Sequence, residues 1–352
     1  MLATAAALAL SGAADAGTVR KAQTHHAPVK AVSHKPVKTA PAKGKAVRSR
    51  GRGKAVASAA RPISDTVPMP ILGALPADPQ DAYNAKSMAA LQALAQGGDA
   101  RAQYTLGMNY RSGNGGRTDP AAAYKWQSQA AQSGFAPGQA DLGFMYMKGL
   151  GVNQDYGKAM DLEQKSAQQG DRNGQYLLGI MYEMGLNVGA DHAKAADWYR
   201  KSADQGFAPA QWKLGSIYLS GDGAAKDPVV ARQWFEKAAA TGDPAAEYAL
   251  GQMYIDGVGV AADPIRAMSW FERAAAHGYP DAAYNLGVIY HDGRGVPVDF
   301  VLSYKWMAIA QWMGAADAGN VINVLIHHMK KAEIDRGKAS ATVQLRTWGM
   351  AR

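Results

Sequence analysis

Two groups of neighbouring histidines in this sequence could be considered as metal ligands. His25, His26 and His34 lie close together near the start of the chain, where they could loosely hold a transition metal. His327 and His328 are adjacent, so on a helix their side chains would point in different directions and could not easily share one ion. There is no H-E-x-x-H motif, and the spacing therefore predicts no specific metal site.

The motifs of nucleophilic and cofactor chemistry are also missing from the sequence. It has no G-x-S-x-G or S-x-x-K motif of a serine acylating enzyme and no G-x-x-x-x-G-K-[ST] phosphate-binding loop. It contains no cysteine, which excludes disulfides, zinc–thiolate sites and cysteine nucleophiles. The sequence therefore predicts a protein that is not an enzyme and that uses no cofactor.

Two recurring features could be mistaken for ligand sites. Five G-x-G pairs match part of a dinucleotide-binding fingerprint, but each follows a predicted helix, whereas that fingerprint follows a strand. We interpret these pairs as turns between helices. Tryptophans recur at a regular spacing and could stack on sugars, but they lie on an apolar helical stripe. We therefore predict that the tryptophans belong to the core.

The elements that position these residues are internal repeats of fixed length. Leu-Gly pairs recur every 36 residues from Leu106-Gly107 to Leu286-Gly287, which defines six units. A tyrosine follows each leucine by four residues, and a glycine follows that tyrosine by three. Each unit then has an aspartate and a tryptophan, with Leu162 as the one exception, and it ends in glycine. Such a strict register indicates a repeat protein.

Each unit is predicted to be a helix–loop–helix with about 13 residues per helix. Glycine inside a helix costs about 1 kcal/mol relative to alanine, so the repeated Leu-Gly pair predicts a close approach of helices that a Cβ would prevent. The glycine after the tyrosine suits the left-handed residue that ends a helix, and the aspartate suits an N-cap. Because one helix pair cannot bury its apolar stripe alone, the units must stack into an all-α solenoid, an αα-superhelix. We place the six repeats at residues 99–314, with capping helices at 81–98 and 315–352.

The excess positive charge of the chain is confined to one segment. The formal net charge is +9, and residues 17–61 contain 12 basic residues and no acidic residue. Such a composition cannot bury enough apolar surface to offset its ordering entropy, so we predict a disordered basic tail. Residues 62–80 contain five prolines and are predicted to form a semi-rigid linker. The tail has two open interpretations, a tether for anionic material and a solvated linker.

The first residues indicate export. The apolar run from Leu2 to Leu10 is followed by Ala14-Asp15-Ala16, which matches the cleavage pattern of a signal peptide. We therefore predict a signal peptide at residues 1–16 and a periplasmic or secreted protein. No lysine or arginine precedes the apolar run, so a short alanine-rich leader of a cytoplasmic protein stays the alternative. No later segment is long and apolar enough to be predicted to cross a membrane.

The repeat unit resembles the Sel-1-like repeat, a relative of the tetratricopeptide repeat. The fifth unit shows the pattern at Ala246, Leu250, Gly251, Tyr254, Gly257, Gly259, Val260, Asp263, Ala267, Trp270, Ala274, Ala275 and Gly278. The resemblance covers the chain from Asp81 to the region of Met329. It implies a right-handed αα-superhelix and a role in holding other proteins together. Asn187 replaces the second loop glycine of the third unit, which predicts a distorted loop there.

A surface that contacts a partner is predicted on the first helix of each unit. The positions one before and two after the repeated leucine share a stripe that is distinct from the core stripe. Ten residues of this stripe are predicted to bind the partner: Thr105, Met108, Asp141, Phe144, Leu177, Ile180, Lys213, Ser216, Gln252 and Asn285. The alternative for the apolar members is that they pack against the next unit. The polar members are expected to be exposed.

These observations together predict a non-enzymatic scaffold or adaptor of the cell envelope, which binds a protein or peptide on the concave face of the solenoid. The alternative is an envelope adaptor whose basic tail makes weak contacts with an anionic glycan or anionic lipid headgroups. The tail lacks interleaved aromatic residues, so no specific binding of nucleic acid is predicted. A third alternative, a hydrolase, has no candidate residues in this sequence.

Overall fold

The computed structural model describes residues 82–114 and 116–351, and every regular element in these residues is a helix. The signal peptide, basic tail and linker predicted at 1–16, 17–61 and 62–80 lie outside the described residues. The helices are α1 (Met88–Gln96), α2 (Ala100–Ser112), α3 (Pro120–Gln132), α4 (Ala136–Lys148), α5 (Tyr156–Gln168), α6 (Arg172–Met184), α7 (His192–Asp204), α8 (Ala208–Ser220), α9 (Pro228–Ala239), α10 (Pro244–Asp256), α11 (Pro264–Ala276), α12 (Pro280–Asp292), α13 (Phe300–Trp312), α14 (Ala318–Leu325) and α15 (Lys331–Thr347), with a 3-10 turn at Ile326–His328.

Helices α2 to α13 form six consecutive pairs, one for each sequence unit. The first helix of a unit packs against its own second helix, and the second helix packs against the first helix of the next unit. First helices of neighbouring units also touch, as α2 touches α4 and α4 touches α6. The predicted all-α solenoid of six repeats is therefore confirmed. Among the described helices, none has both the length and the apolar character that a membrane span requires.

The capping residues predicted from the sequence have their expected roles. The aspartate of each unit precedes the second helix, and its carboxylate accepts a hydrogen bond from backbone N–H groups of the first turn. The glycine after each first helix is left-handed, with φ between 67° at Gly185 and 88° at Gly221. Local interactions therefore begin and end these helices at the same positions in every unit.

The glycine of each Leu-Gly pair lies where two helices of one unit come closest. A Cβ added to Gly215 would lie 2.6 Å from the Phe235 ring, and one added to Gly251 would lie 2.5 Å from the Phe271 ring. The predicted close approach is therefore confirmed. The side chains that face these six glycines come directly after the tryptophan position and are all fully buried: Gln127, Glu163, Tyr199, Phe235, Phe271 and Met307.

The tryptophans are less uniform than the sequence predicts. Trp126 and Trp306 are buried, but Trp198, Trp234 and Trp270 are only partly buried. All five pack in or against the hydrophobic core, but these three leave part of the ring exposed. On each second helix the residue after the tryptophan position faces the glycine of the first helix, so the tryptophan itself does not fill the space between the two helices. The Lys201 ammonium covers the Trp198 ring, with the nitrogen 3.6 Å from the ring centroid.

The loop of the third unit is not distorted by its asparagine. Asn187 has φ of 64°, close to the 68° of Gly151 and Gly259 at the equivalent positions. The prediction of a distorted loop is therefore wrong, because asparagine tolerates the left-handed region better than other residues with a Cβ. Its side chain lies beside Gly157 of the preceding unit, since a Cβ added to that glycine would be 3.8 Å from the Asn187 Oδ1 atom.

Candidate functional site

The stripe that the sequence assigns to partner binding is mostly interior. Eight of the ten residues are buried: Thr105, Met108, Asp141, Phe144, Leu177, Ile180, Gln252 and Asn285. The expectation that polar members are exposed is therefore wrong for Thr105, Asp141, Gln252 and Asn285. The apolar members, Met108, Phe144, Leu177 and Ile180, are buried, as expected if they pack against a neighbouring unit and do not bind a partner. Only Lys213 and Ser216 are partly exposed.

Three of the four buried polar stripe residues, Asp141, Gln252 and Asn285, join the first helices of neighbouring units, whereas the Thr105 hydroxyl donates to the Arg101 carbonyl oxygen of its own helix. Asn285 on α12 donates a hydrogen bond to the Gln252 Oε1 atom on α10, with a distance of 3.0 Å. The Asp141 carboxylate on α4 lies 2.8 Å from the Arg111 guanidinium on α2. The Asp141 side chain is fully buried, and burial raises its pKa, although the Arg111 guanidinium opposes that rise. The stripe is thus an interface between units along much of its length.

This interface opens into a cavity of about 510 Å³ between the third and fourth units. Its walls come from the end of α6, the start of α7 and the length of α8. Lys213 and Ser216 line the cavity, and they are the two predicted residues that stay partly exposed. The structure therefore brings these two predicted residues together at a single site and separates them from the other eight.

The cavity exists because one large side chain is missing from the stripe. At the position two after the repeated leucine, five units carry a buried residue of medium or large size: Met108, Phe144, Ile180, Gln252 and Val288. The fourth unit carries Ser216, whose hydroxyl donates a hydrogen bond to the Trp212 carbonyl oxygen 3.2 Å away. A serine that bonds to its own helix leaves the space toward α6 unfilled. Trp212, Ile217 and Leu219 form the apolar part of the lining.

The polar part of the lining is a set of fixed charge pairs. The Lys213 ammonium lies 2.9 Å from the Glu183 Oε1 atom, and the Tyr199 hydroxyl donates a short hydrogen bond to Glu183 Oε2. Burial, together with the Glu183 carboxylate, raises the pKa of Tyr199 well above its ordinary value, so the hydroxyl stays a donor. At the rim, the His192 Nδ1 atom lies 3.1 Å from an Asp222 carboxylate oxygen.

The Glu183–Lys213 pair has a counterpart with reversed polarity. Arg111 and Asp141 occupy the same two repeat positions, two units earlier, with the positive charge on the preceding unit. That pair is almost completely buried, whereas the side chains of Glu183 and Lys213 are 32% and 16% exposed. The ion pair at the cavity is therefore accessible to a ligand, while its counterpart is enclosed.

Sequence reasoning missed Glu183, His192 and Asp222 as lining residues because they lie outside α8, and it missed Trp212 because that residue lies outside the two repeat positions chosen for the stripe. One signal was available in the repeat alignment. Ser216 is the smallest side chain at its repeat position, and a small residue in a column of large ones indicates an unfilled space. The arrangement offers apolar walls, fixed charges and a small hydroxyl, which suits the binding of a side chain.

Comparison with known proteins agrees with the repeat architecture. A search of curated proteins found no match. Among solved structures, a Sel1 repeat protein from Oxalobacter formigenes is 32% identical with a TM-score of 0.55, over 74% of this chain and 79% of that chain. A protective antigen with an SLR fold from uropathogenic Escherichia coli is 29% identical with a TM-score of 0.48, over 74% of this chain and 64% of that chain. The Sel1 repeat model matches residues 100–135, 136–171, 173–207, 208–243, 244–279 and 280–310. With six matches that together span more than half of its length, this chain belongs to the Sel1 repeat family.

Proposed function

We propose that this protein is an exported, non-enzymatic scaffold of the cell envelope that binds a protein or peptide partner. The partner lies along the concave face, on the side of the first helices, and inserts a side chain into the cavity between the third and fourth repeats. The observation that carries this proposal is the cavity itself, which opens at Ser216, the smallest residue among those two positions after the repeated leucine.

Several features support binding at this place. Sel1 repeat proteins are generally non-catalytic scaffolds for protein interactions. The cavity volume of about 510 Å³ lies within the usual range of ligand pockets, about 300–1,000 Å³. Its walls belong to three helices that are packed into the solenoid, so the site is formed before a partner arrives.

A second candidate function is favoured by the charge of residues 17–61, which lie outside the described residues. Their 12 basic residues and lack of acidic residues suit an anionic glycan or anionic lipid headgroups. In this alternative the tail supplies the affinity and the solenoid only orients it. Both candidate functions assume that the protein is exported, which is supported by the apolar run and the cleavage pattern in residues 1–16.

The test uses the full chain as bait in an extract of cell envelopes. Ser216→Ile fills the cavity with the residue that the preceding unit has at the same position, Ile180. Ser269→Ile is the matched control, because Ser269 is exposed on α11 and does not line the cavity. A partner that the wild-type chain and Ser269→Ile retain at low and high salt, and that Ser216→Ile loses, would support the scaffold.

Two other outcomes would contradict the scaffold at this cavity. Retention of the same partner by Ser216→Ile would show that the cavity is not the binding site. Capture that is equal for all three chains and that disappears at high salt would favour the tail-driven adaptor instead, since exposed charge interactions are screened by salt.

A further inference from the structure

We infer that the cavity between the third and fourth repeats accepts a lysine or arginine side chain from an extended peptide segment of the partner. This inference rests on the proposed function, and it adds the chemical class of the anchoring side chain.

The charges that face the cavity favour a cation. Two carboxylates, Glu183 and Asp222, line it together with a single ammonium group, that of Lys213. Among the side chains that carry a full charge, the carboxylates therefore outnumber the ammonium group by one, an excess of one negative charge. An acidic side chain would add to this excess, whereas a lysine or arginine side chain would neutralise it.

The positions of these charges leave one carboxylate available. The Lys213 ammonium is already held by Glu183 and lies 6.0 Å from the centroids of the Trp212 and Tyr199 rings. Asp222 is different, because its side chain is 66% exposed at the rim, where a carboxylate oxygen lies 3.1 Å from the His192 Nδ1 atom. A second cation can reach Asp222 without breaking the Glu183–Lys213 pair.

The apolar lining suits the aliphatic part of a basic side chain. Trp212, Ile217, Leu219 and Ala195 lie on the walls, while the carboxylates lie at the end of α6 and in the loop after α8. Lysine and arginine bury their methylene stems along apolar surfaces while they keep the charged end near water or carboxylates. A purely apolar side chain would fill the same walls but would leave the excess charge uncompensated.

The experiment measures the affinity of capped pentapeptides for the isotope-labelled full chain by methyl NMR, with the Ile217, Leu219 and Ala195 methyl groups as reporters. The probes are Ala-Ala-X-Ala-Ala peptides in which X is lysine, arginine, norleucine or glutamate. Norleucine has the stem of lysine without the ammonium group, so it isolates the contribution of the charge. We expect the lysine and arginine peptides to bind about tenfold more tightly than the norleucine peptide, and the glutamate peptide to bind most weakly.

Charge variants of the protein locate the recognition. Asp222→Asn and Glu183→Gln should each reduce the preference for lysine over norleucine by at least about threefold. Asp197→Asn is the matched control, because Asp197 is equally exposed, at 68%, and its substitution makes the same change of net charge outside the cavity. This control should leave the preference unchanged.

The inference is overturned if lysine and norleucine peptides bind equally, or if Asp222→Asn has no more effect than Asp197→Asn. The proposed function would survive that result if Ser216→Ile still abolished the binding of every peptide and the capture of the partner. If no peptide perturbs the three reporter methyl groups, the inference about the cavity fails. In that case the capture experiment with Ser216→Ile decides separately whether the scaffold proposal also fails.

Discussion

Glu163 is a buried acid without a partner, and we predict that its replacement by glutamine stabilises the protein at neutral and higher pH. Its side chain is fully buried on α5, and neither carboxylate oxygen has a hydrogen-bond partner among the described residues. Burial raises the pKa of Glu163 well above its ordinary value near 4.5, and the carboxylates of Asp171 and Asp141 raise it further. Ionisation inside the folded protein is therefore unfavourable.

The sign of the pH dependence follows from this shift. The folded state holds the Glu163 proton more tightly than the unfolded state. The contribution of this proton to the free energy of unfolding is therefore fully present below the unfolded pKa, near 4.5. It is lost progressively as the pH rises through the folded pKa. The Glu163→Gln variant cannot ionise, so its advantage over the wild type should be small at pH 5 and should grow toward pH 8.

The first repeat shows that glutamine fits this position. Gln127 occupies the equivalent place on α3 and donates a hydrogen bond from Nε2 to the Tyr104 carbonyl oxygen, 3.1 Å away. The equivalent carbonyl in the second repeat is that of Ala140. Since an unpaired buried polar group costs about 1–3 kcal/mol, we expect Glu163→Gln to raise the free energy of unfolding by about that amount at pH 8. The reverse change, Gln127→Glu, should lower it by a similar amount.

Urea unfolding, followed by circular dichroism at pH 5 and pH 8, measures these differences for the wild type and both variants. Two results would refute the reasoning. One is a destabilised Glu163→Gln variant at pH 8. The other is a difference between this variant and the wild type that is the same at both pH values, because ionisation of Glu163 would then not contribute.

Three further predictions concern stability and use the same unfolding assay. Asp141→Ala should lower the free energy of unfolding by about 3–5 kcal/mol, because it leaves the buried Arg111 guanidinium without its counter-ion. A decrease of less than about 1 kcal/mol would contradict this prediction. Asn187→Ala should lower the free energy of unfolding by about 1 kcal/mol, because alanine is strained at the left-handed φ of 64°, whereas Asn187→Gly should leave it almost unchanged. Equal decreases for the two variants would show that backbone strain is not the cause. Gly251→Ala should cost about 1–3 kcal/mol, because its Cβ would lie 2.5 Å from an aromatic ring. The control for it is Gly189→Ala, where no atom lies within 4 Å of the added Cβ and the φ is not left-handed.

The helices and their ends could be predicted because the interactions that make them are local. An aspartate such as Asp155 caps the turn that follows it, and a glycine such as Gly149 ends the helix that precedes it. The same short-range pattern recurs in all six units, so each unit indicates the same positions for the start and end of its helices. The close approach at the Leu-Gly pairs was also predictable, since a glycine that is unfavourable in an isolated helix must be compensated by packing.

The burial of the stripe could not be predicted in this way. Helical periodicity shows that Asp141 shares a face of α4 with Phe144, and that Asn285 shares the equivalent face of α12 with Val288. It does not show how closely the first helix of the preceding unit approaches that face. That distance depends on side chains about 30 residues away, such as Arg111 and Gln252, which accept or donate the polar contacts across the interface. A polar residue was therefore expected at the surface where the folded chain pairs it inside.

The helix boundaries and the all-α class thus follow from patterns within a single 36-residue unit, because hydrogen bonds at helix ends and helical periodicity act over a few residues, and the repeat number follows from the recurrence of that unit. The cavity has a different origin. It requires a small residue at Ser216, a packed position for Trp212 and charges brought together from α6, α7 and the loop after α8. Those groups are distant in the chain, and only the stacking of the third repeat on the fourth places them around one space, since packing distances between units are set by long-range contacts.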